Sequence, residues 1–304
     1  MDNIKAIDIR QLHKSYGRVP ALQGVDIDVD QGEIFGFLGP NGAGKTTTIR
    51  CMLDMIRPQS GFIRIFGFDP RLDPSIVHTK VGYLPGELNL EANRKVRNTL
   101  RYFVELRGNS VDWDYVLYLV DRLELDLETP VKNLSKGNKQ KVGLVQAMMH
   151  KPELLIMDEP TSGLDPLMQQ EVYRLLRQAK TEGSTVFFSS HVINEVETLA
   201  DRVAIISKGK IIEEAEPGEL INMEVRRMQV RFREPVDIKP LTQVAGAELQ
   251  SQNGGKQVTL RVEGDLDAVI KALARYPVSD MDLQRQSLEQ AFLTYYQGVS
   301  LEGG

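Results

Sequence analysis

An α/β chain with a parallel sheet at its centre, followed by a smaller α+β domain, is what this sequence predicts. Three observations predict it. The first is Gly39-Pro40-Asn41-Gly42-Ala43-Gly44-Lys45-Thr46-Thr47, set between the apolar run Ile34-Phe35-Gly36-Phe37-Leu38 and a stretch of helical character. Its Gly-x4-Gly-Lys-Thr spacing, between a strand and a helix, is that of a phosphate-binding loop. The second is Leu154-Leu155-Ile156-Met157, an apolar run that ends in Asp158-Glu159. The third is a change of pattern around Pro217-Gly218, after which no glycine loop, nucleophile pair or metal cluster recurs.

Composition sets the frame. A length of 304 residues suits two domains, one large and one small, with enough apolar sequence for a sizeable core. Formal net charge is −5, with both signs mixed and no long basic block, which argues against a nucleic-acid groove. The one cysteine, Cys51, allows no internal disulfide. No signal-peptide pattern opens the sequence and no apolar stretch approaches 18 residues, so the expectation is a cytosolic chain or one docked on a membrane protein from that side.

In chain order, residues 4–30 alternate in polarity and predict two antiparallel, half-buried strands around Lys14-Ser15-Tyr16-Gly17. Tyr16 reads either as a base-stacking ring or as a tyrosine packed at a strand end, and alone favours the latter. After the first helix come a turn at 57–61, a strand at 62–66 and another turn at 67–70. A buried strand then ends near Val81-Gly82-Tyr83-Leu84. Residues 96–107 and 113–125 have helical periodicity, with Leu100, Phe103, Val104, Leu117, Val120 and Leu123 on apolar faces and Trp113 and Tyr115 packing the pair. Ser135-Lys136-Gly137 opens a helix running to about His150. It reads equally as a phosphate site at a helix start and as an ordinary serine cap. A helix is expected from Pro166, a buried strand at 185–190 ending in His191, and a closing hairpin around Lys208-Gly209. Beyond Pro217, strands are expected at 225–233, 243–250, 257–263 and 278–284, with helices at 265–276 and 287–296.

The chemistry follows from residue types. Glycines let backbone N–H groups turn onto an anion, and the helix start adds positive potential. Lys45 carries a full charge to the β- and γ-phosphates, and Thr46 offers a hydroxyl to Mg²⁺. Asp158, at the end of a buried strand, is placed to hold the metal, and Glu159 to orient a water. A lone histidine is more often structural, yet His191 stands at the strand edge where open α/β sheets bind ligands.

Taken in order, Lys45, Ser135-Lys136-Gly137, Asp158-Glu159, Gly163-Leu164-Asp165 and His191 resemble the motif series of ATP-binding-cassette (ABC) ATPases across about residues 1–220. Leu134-Ser135-Lys136-Gly137-Asn138-Lys139-Gln140 looks like the signature segment of that family, with Lys136 and Asn138 as variants. Ser287-Leu288-Glu289-Gln290-Ala291-Phe292-Leu293 is similar to the tail motif of ATPase subunits in ABC-2-type drug and antibiotic exporters. The resemblance implies a P-loop NTPase of ABC type: a RecA-like parallel core, an antiparallel β subdomain and a helical subdomain at about 90–150, all within 1–220. A small α+β domain occupies 221–304.

The resemblance also implies roles. Tyr16 would stack on adenine. Gly39, Pro40, Asn41, Gly42, Ala43, Gly44, Lys45, Thr46 and Thr47 would cradle the phosphates of ATP. Thr46 and Asp158 would hold Mg²⁺, while Lys45, Glu159 and His191 would serve hydrolysis. Ser135 and Gly137 would meet the γ-phosphate of ATP on a second subunit, and Asp165 would cross that interface. The implied partners are a separately encoded transmembrane permease at the cytoplasmic face of the membrane and a second ATPase subunit, as a homodimer or a mixed pair. No nucleic acid is expected. The sequence departs from the family at Gly86, where a glutamine is usual; either Glu87 substitutes or the metal keeps an extra water. Phe292, Leu293, Tyr295 and Tyr296 either fill the small domain's own core or cover apolar surface on a neighbour. The competing readings are a soluble ABC ATPase acting on ribosomes or DNA, and a binding module without hydrolysis.

Overall fold

The computed structural model describes residues 4–108, 111–220, 225–238, 240–264 and 266–285. It divides into two compact units, Met1–Pro217 and Gly218–Gly304. In the first, strands β1 (Ile7–Tyr16) and β2 (Val19–Val29) pair antiparallel, and β4 (Ser60–Ile65) joins the free edge of β1. Alternation along these strands buries Ile7, Ile9, Val25, Ile27 and Val29 and leaves the intervening aspartates outward. Phe66 falls just beyond β4, in the left-handed region at φ 50°, so the strand stops one residue earlier than expected.

The central sheet has six strands in the order β5 (Val81–Leu84), β6 (Leu154–Asp158), β7 (Thr185–Ser190), β3 (Ile34–Leu38), β8 (Arg202–Ser207) and β9 (Lys210–Ala215). All neighbours are parallel except β8 and β9, which form a hairpin. Strands β3, β6 and β7 are buried throughout, as parallel strands covered on both faces must be. Phe187 stacks on Phe35 at 5.8 Å and tilts against Phe37 at 5.5 Å, so aromatic packing fixes β3 beside β7.

Register decides which strand ends stand together. Leu38 lies opposite Ser190, Asp158 opposite Ser189, and Leu84 opposite Met157. The loops that begin at Gly39, Pro85, Glu159 and His191 therefore leave the same carboxyl edge side by side, where open α/β sheets bind ligands.

Helix α1 (Lys45–Met52) follows β3. Helix α2 (Pro74–Lys80) was not foreseen: it is seven residues long, buries only Val77, and its one sequence cue is Asp73 before Pro74. Helices α3 (Val96–Leu106), α4 (Trp113–Arg122) and α5 (Lys136–Met148) form the helical part. Leu117 does not lie on the buried face of α4; it is 36% exposed, and Val116, Leu119 and Val120 do the packing. Trp113 and Tyr115 are half-buried at its rim, under Arg101 and Lys151 respectively. Helix α6 (Pro166–Thr181) starts at its proline, and α7 (Ile193–Leu199), also unforeseen, follows β7. A short α8 (Pro217–Leu220) lies at the division between units.

The second unit is a four-stranded antiparallel sheet, β11 (Ala247–Asn253), β12 (Gln257–Glu263), β10 (Val225–Phe232) and β13 (Val278–Arg285) in that order. Helix α9 (Leu266–Leu273) covers one face, burying Val269 and Leu273 with Met228, Val230, Val258 and Leu260. The helix expected at 287–296, with Phe292, Leu293, Tyr295, Tyr296 and the exporter-like tail motif, lies outside the described residues. Among the described residues no helix is long and apolar enough to cross a membrane.

Candidate nucleotide site

The loop at residues 39–47 is shaped by two kinds of glycine. Gly42 and Gly44 take φ of 80° and 118°, which a side chain rarely allows. Gly39 needs space: a Cβ there would lie 2.4 Å from the Ile206 carbonyl oxygen. The Gly39 N–H donates to the Ser190 carbonyl at 3.1 Å, pinning the loop to the end of β7. Helix α1 then begins at Lys45 with no side-chain cap, so its first N–H groups remain available to an anion. Lys45 is buried, and its Nζ donates to the carbonyls of Gly39 (2.6 Å) and Pro40 (3.1 Å). Burial lowers its pKa, opposed by the charges of Glu159 and Asp158.

Beside it, the Thr46 hydroxyl donates to Asp158 Oδ2 at 2.8 Å, and the Ser189 hydroxyl holds Asp158 Oδ1 at 2.5 Å. Thr46 and Asp158 supply adjacent hard oxygens, a donor set suited to Mg²⁺. No group of three His, Cys, Asp or Glu residues able to hold a metal occurs among the described residues. A cation here would therefore complete its shell from phosphate and water, as Mg²⁺ commonly does. Gly86 faces the same carboxylate: a Cβ there would sit 3.2 Å from Asp158 Oδ2, while Glu87 is exposed.

Glu159 follows Asp158 in the left-handed region, φ 52°. Such a conformation in a non-glycine costs about 1–3 kcal/mol. It turns the carboxylate from Asp158 toward His191, whose Nδ1 lies 2.8 Å from Glu159 Oε1. The sequence placed these two residues at separate strand ends; parallel register brings them into contact. Three supporting residues were missed. Ser189 accepts the Glu159 N–H as well as holding Asp158. Glu195, buried on α7, accepts from Thr161 and, at 2.6 Å, from Ser190. Gln140 donates from α5 to the Glu159 carbonyl. Only its place in the signature-like stretch 134–140 hints at Gln140.

The remaining expected residues lie apart from this cluster. Tyr16 is 49% exposed at the end of β1, with Lys14 Nζ 5.5 Å from its ring centroid. Ser135 is exposed and caps α5, its hydroxyl accepting from Asn138 N at 3.2 Å. Gly137 is buried against its own chain: a Cβ would meet the Gly163 carbonyl at 2.5 Å. Asp165 caps α6 by accepting from Met168 N at 3.0 Å, a bond that lowers its pKa.

A family model described as ABC transporter matches residues 22–162. The chain is 41% identical over 213 residues to the bacitracin transport ATP-binding protein BcrA of Bacillus licheniformis, covering 68% of this chain and 69% of that one. It is 36% identical over 224 residues to the Nod factor export ATP-binding protein I of Paraburkholderia xenovorans, covering 72% and 74%. Among solved structures it resembles the ATP-binding subunit of an ABC transporter, with a TM-score of 0.66 and 28% identity over 71% of this chain and 91% of the other.

Proposed function

The chain belongs to the ABC transporter family as an ATP-binding, ATP-hydrolysing subunit, and from that premise we propose that it powers export as one half of a head-to-tail pair. A separately encoded permease would complete the transporter, placing this chain at the cytoplasmic face of a membrane. The observation that carries the reading is the separation of two phosphate-binding features on one chain. The cradle approaches Ala21, Leu22, Ser190 and Ile206, whereas Ser135-Lys136-Gly137 packs on Ser162 and Gly163. A segment built so is available to a nucleotide on another copy. Export is supported by the Nod factor export relative and by the tail motif.

In this reading Lys45 and the loop N–H groups grip the triphosphate, and Tyr16 stacks on the base. Thr46 and Asp158 hold Mg²⁺, which when bound neutralises charge developing on the phosphoryl oxygens. Glu159 accepts a hydrogen bond from the attacking water, and His191 fixes the carboxylate and meets the γ-phosphate. Asp165, exposed at the start of α6, faces the second subunit. The test is Glu159→Gln. ATP affinity stays within about threefold, while phosphate release falls about a thousandfold, the scale of losing a group that acts on the reacting atoms. Turnover at the parental rate would remove Glu159 from the chemistry. Sedimentation of the same variant with Mg–ATP reads the pair directly, and a monomer at saturating nucleotide argues against it.

A further inference from the structure

Gln140 lies in the second turn of α5 with 4% of its surface exposed. Its Nε2 donates to the carbonyl oxygens of Glu159 (2.9 Å) and Pro160 (3.2 Å). Both amide hydrogens thus go to two successive carbonyls of the turn leaving β6. The residue held is the left-handed Glu159. A conformation of that kind persists only when its surroundings over-determine it. Its N–H is held by the Ser189 carbonyl and hydroxyl, both at 3.2 Å. Its carboxylate is held by His191. Its carbonyl accepts from the Ser162 N–H of its own turn at 3.1 Å and from Gln140, and Gln140 is the one of these anchors that comes from the helix beginning at Ser135.

We infer that Gln140 is a positioning residue. It fixes the peptide of Glu159 so that the carboxylate faces His191, and it makes that geometry depend on where α5 sits. The inference rests on the proposal that 135–137 engages the nucleotide of a second subunit while Glu159 serves the chain's own. Ser135 and Gln140 are separated by under two turns of one helix, which moves as a rod. The start of the rod is tied to the same loop by Lys136 Nζ on Ser162 Oγ at 3.0 Å and by the approach of Gly137 to Gly163. A shift of α5 on meeting the second nucleotide therefore pulls on the Glu159 carbonyl. Coupling between sites requires a contact that differs between two states. The Nε2 bonds supply it inside one chain, from the half-site lent to the neighbour to the half-site kept.

The experiment compares the full-length parent with Gln140→Leu, which keeps size and removes both donors, and Gln140→Glu, which keeps shape and turns an oxygen on the carbonyls. Expected for both is a fall in kcat of about tenfold or more with KM for ATP within about twofold, the mark of an interaction used in the transition state. The Hill coefficient for ATP drops toward one. In Gln140→Glu the loss shrinks as pH falls, because a protonated carboxyl regains one donor. The inference is overturned if kcat stays within about twofold of the parent, or if kcat, KM and melting temperature decline together with an unchanged Hill coefficient. If Gln140→Leu does not fold, Gln140→Glu and its pH profile decide alone. A parent that hydrolyses no Mg–ATP sinks the proposed function itself; a parent that does, matched by its Gln140 variants, sinks only this inference.

Discussion

Two helix starts in this chain carry glycine, and they use it differently. At residues 42–45 glycine supplies conformation, with Gly42 and Gly44 at positive φ, and α1 begins uncapped. At residues 135–137 glycine supplies space, since Gly137 lets α5 press on the Gly163 carbonyl, and the helix start is already capped by Ser135. The first start leaves backbone donors open to a phosphate within its own unit. The second has satisfied one of its donors and is bound to the loop after Glu159. A glycine at a helix start is therefore not one signal: its φ and its nearest neighbour decide whether it bends the backbone or lets one element press on another.

Gly44→Ala should break the first start outright. At φ 118°, with a Cβ 2.8 Å from the Ala21 carbonyl and from Leu22, alanine is both strained and crowded. Calorimetry should show ATP affinity reduced on the order of a hundredfold, the equivalent of about 2–3 kcal/mol of strain.

Gly137→Ala should leave nucleotide affinity within about threefold of the parent while cutting turnover about a hundredfold, because the new methyl displaces α5 without touching the cradle. If affinity collapses as in Gly44→Ala, the two starts are not separate devices.

The far end of α5 sharpens the contrast by pH. His150 lies just beyond it, with Nε2 3.3 Å from the Val81 carbonyl and a buried Nδ1 that has no hydrogen-bond partner. Burial, aided by the charge of Arg107, lowers its pKa from 6.5 to about 4. A depressed histidine stabilises the fold while neutral; that contribution is complete above pH 6.5 and is lost as pH falls from 6.5 toward 4. The melting temperature of the parent should decline over that window, and His150→Gln, which keeps a donor for Val81, should flatten the decline. An identical slope in both proteins would remove His150 from the acid response.

On stability, Ser135→Ala has the smallest effect. Losing the cap on Asn138 costs about 1 kcal/mol. That lowers the melting temperature of a unit this size by about 2–4 °C, read by scanning calorimetry.

The sequence carried the cradle because its elements are contiguous: strand, loop and helix lie within 34–52, and local spacing states the geometry. It carried the antiparallel pair β1 and β2 because period-two alternation is written residue by residue. Helices α2 and α7 escaped because seven residues hold too few turns for a period to emerge. Leu117 lies off the buried side of α4, which the sequence does not reveal because periodicity alone does not say which edge of an apolar stripe meets a neighbour. For the site, Lys45, Thr46 and Asp158 were legible as types at known spacings. That Glu159 touches His191 was not, because 32 residues separate them and only the pairing of β6 with β7 closes the distance.

What the sequence determined by itself was the set of reactive groups and the strand or helix end that bears each, since both follow from short-range pattern. Tertiary structure alone decided which of those ends stand together and which way each side chain turns. Register along a parallel sheet, the left-handed backbone at Glu159 and the reach of Gln140 arise from long-range packing. No window of neighbouring residues encodes them.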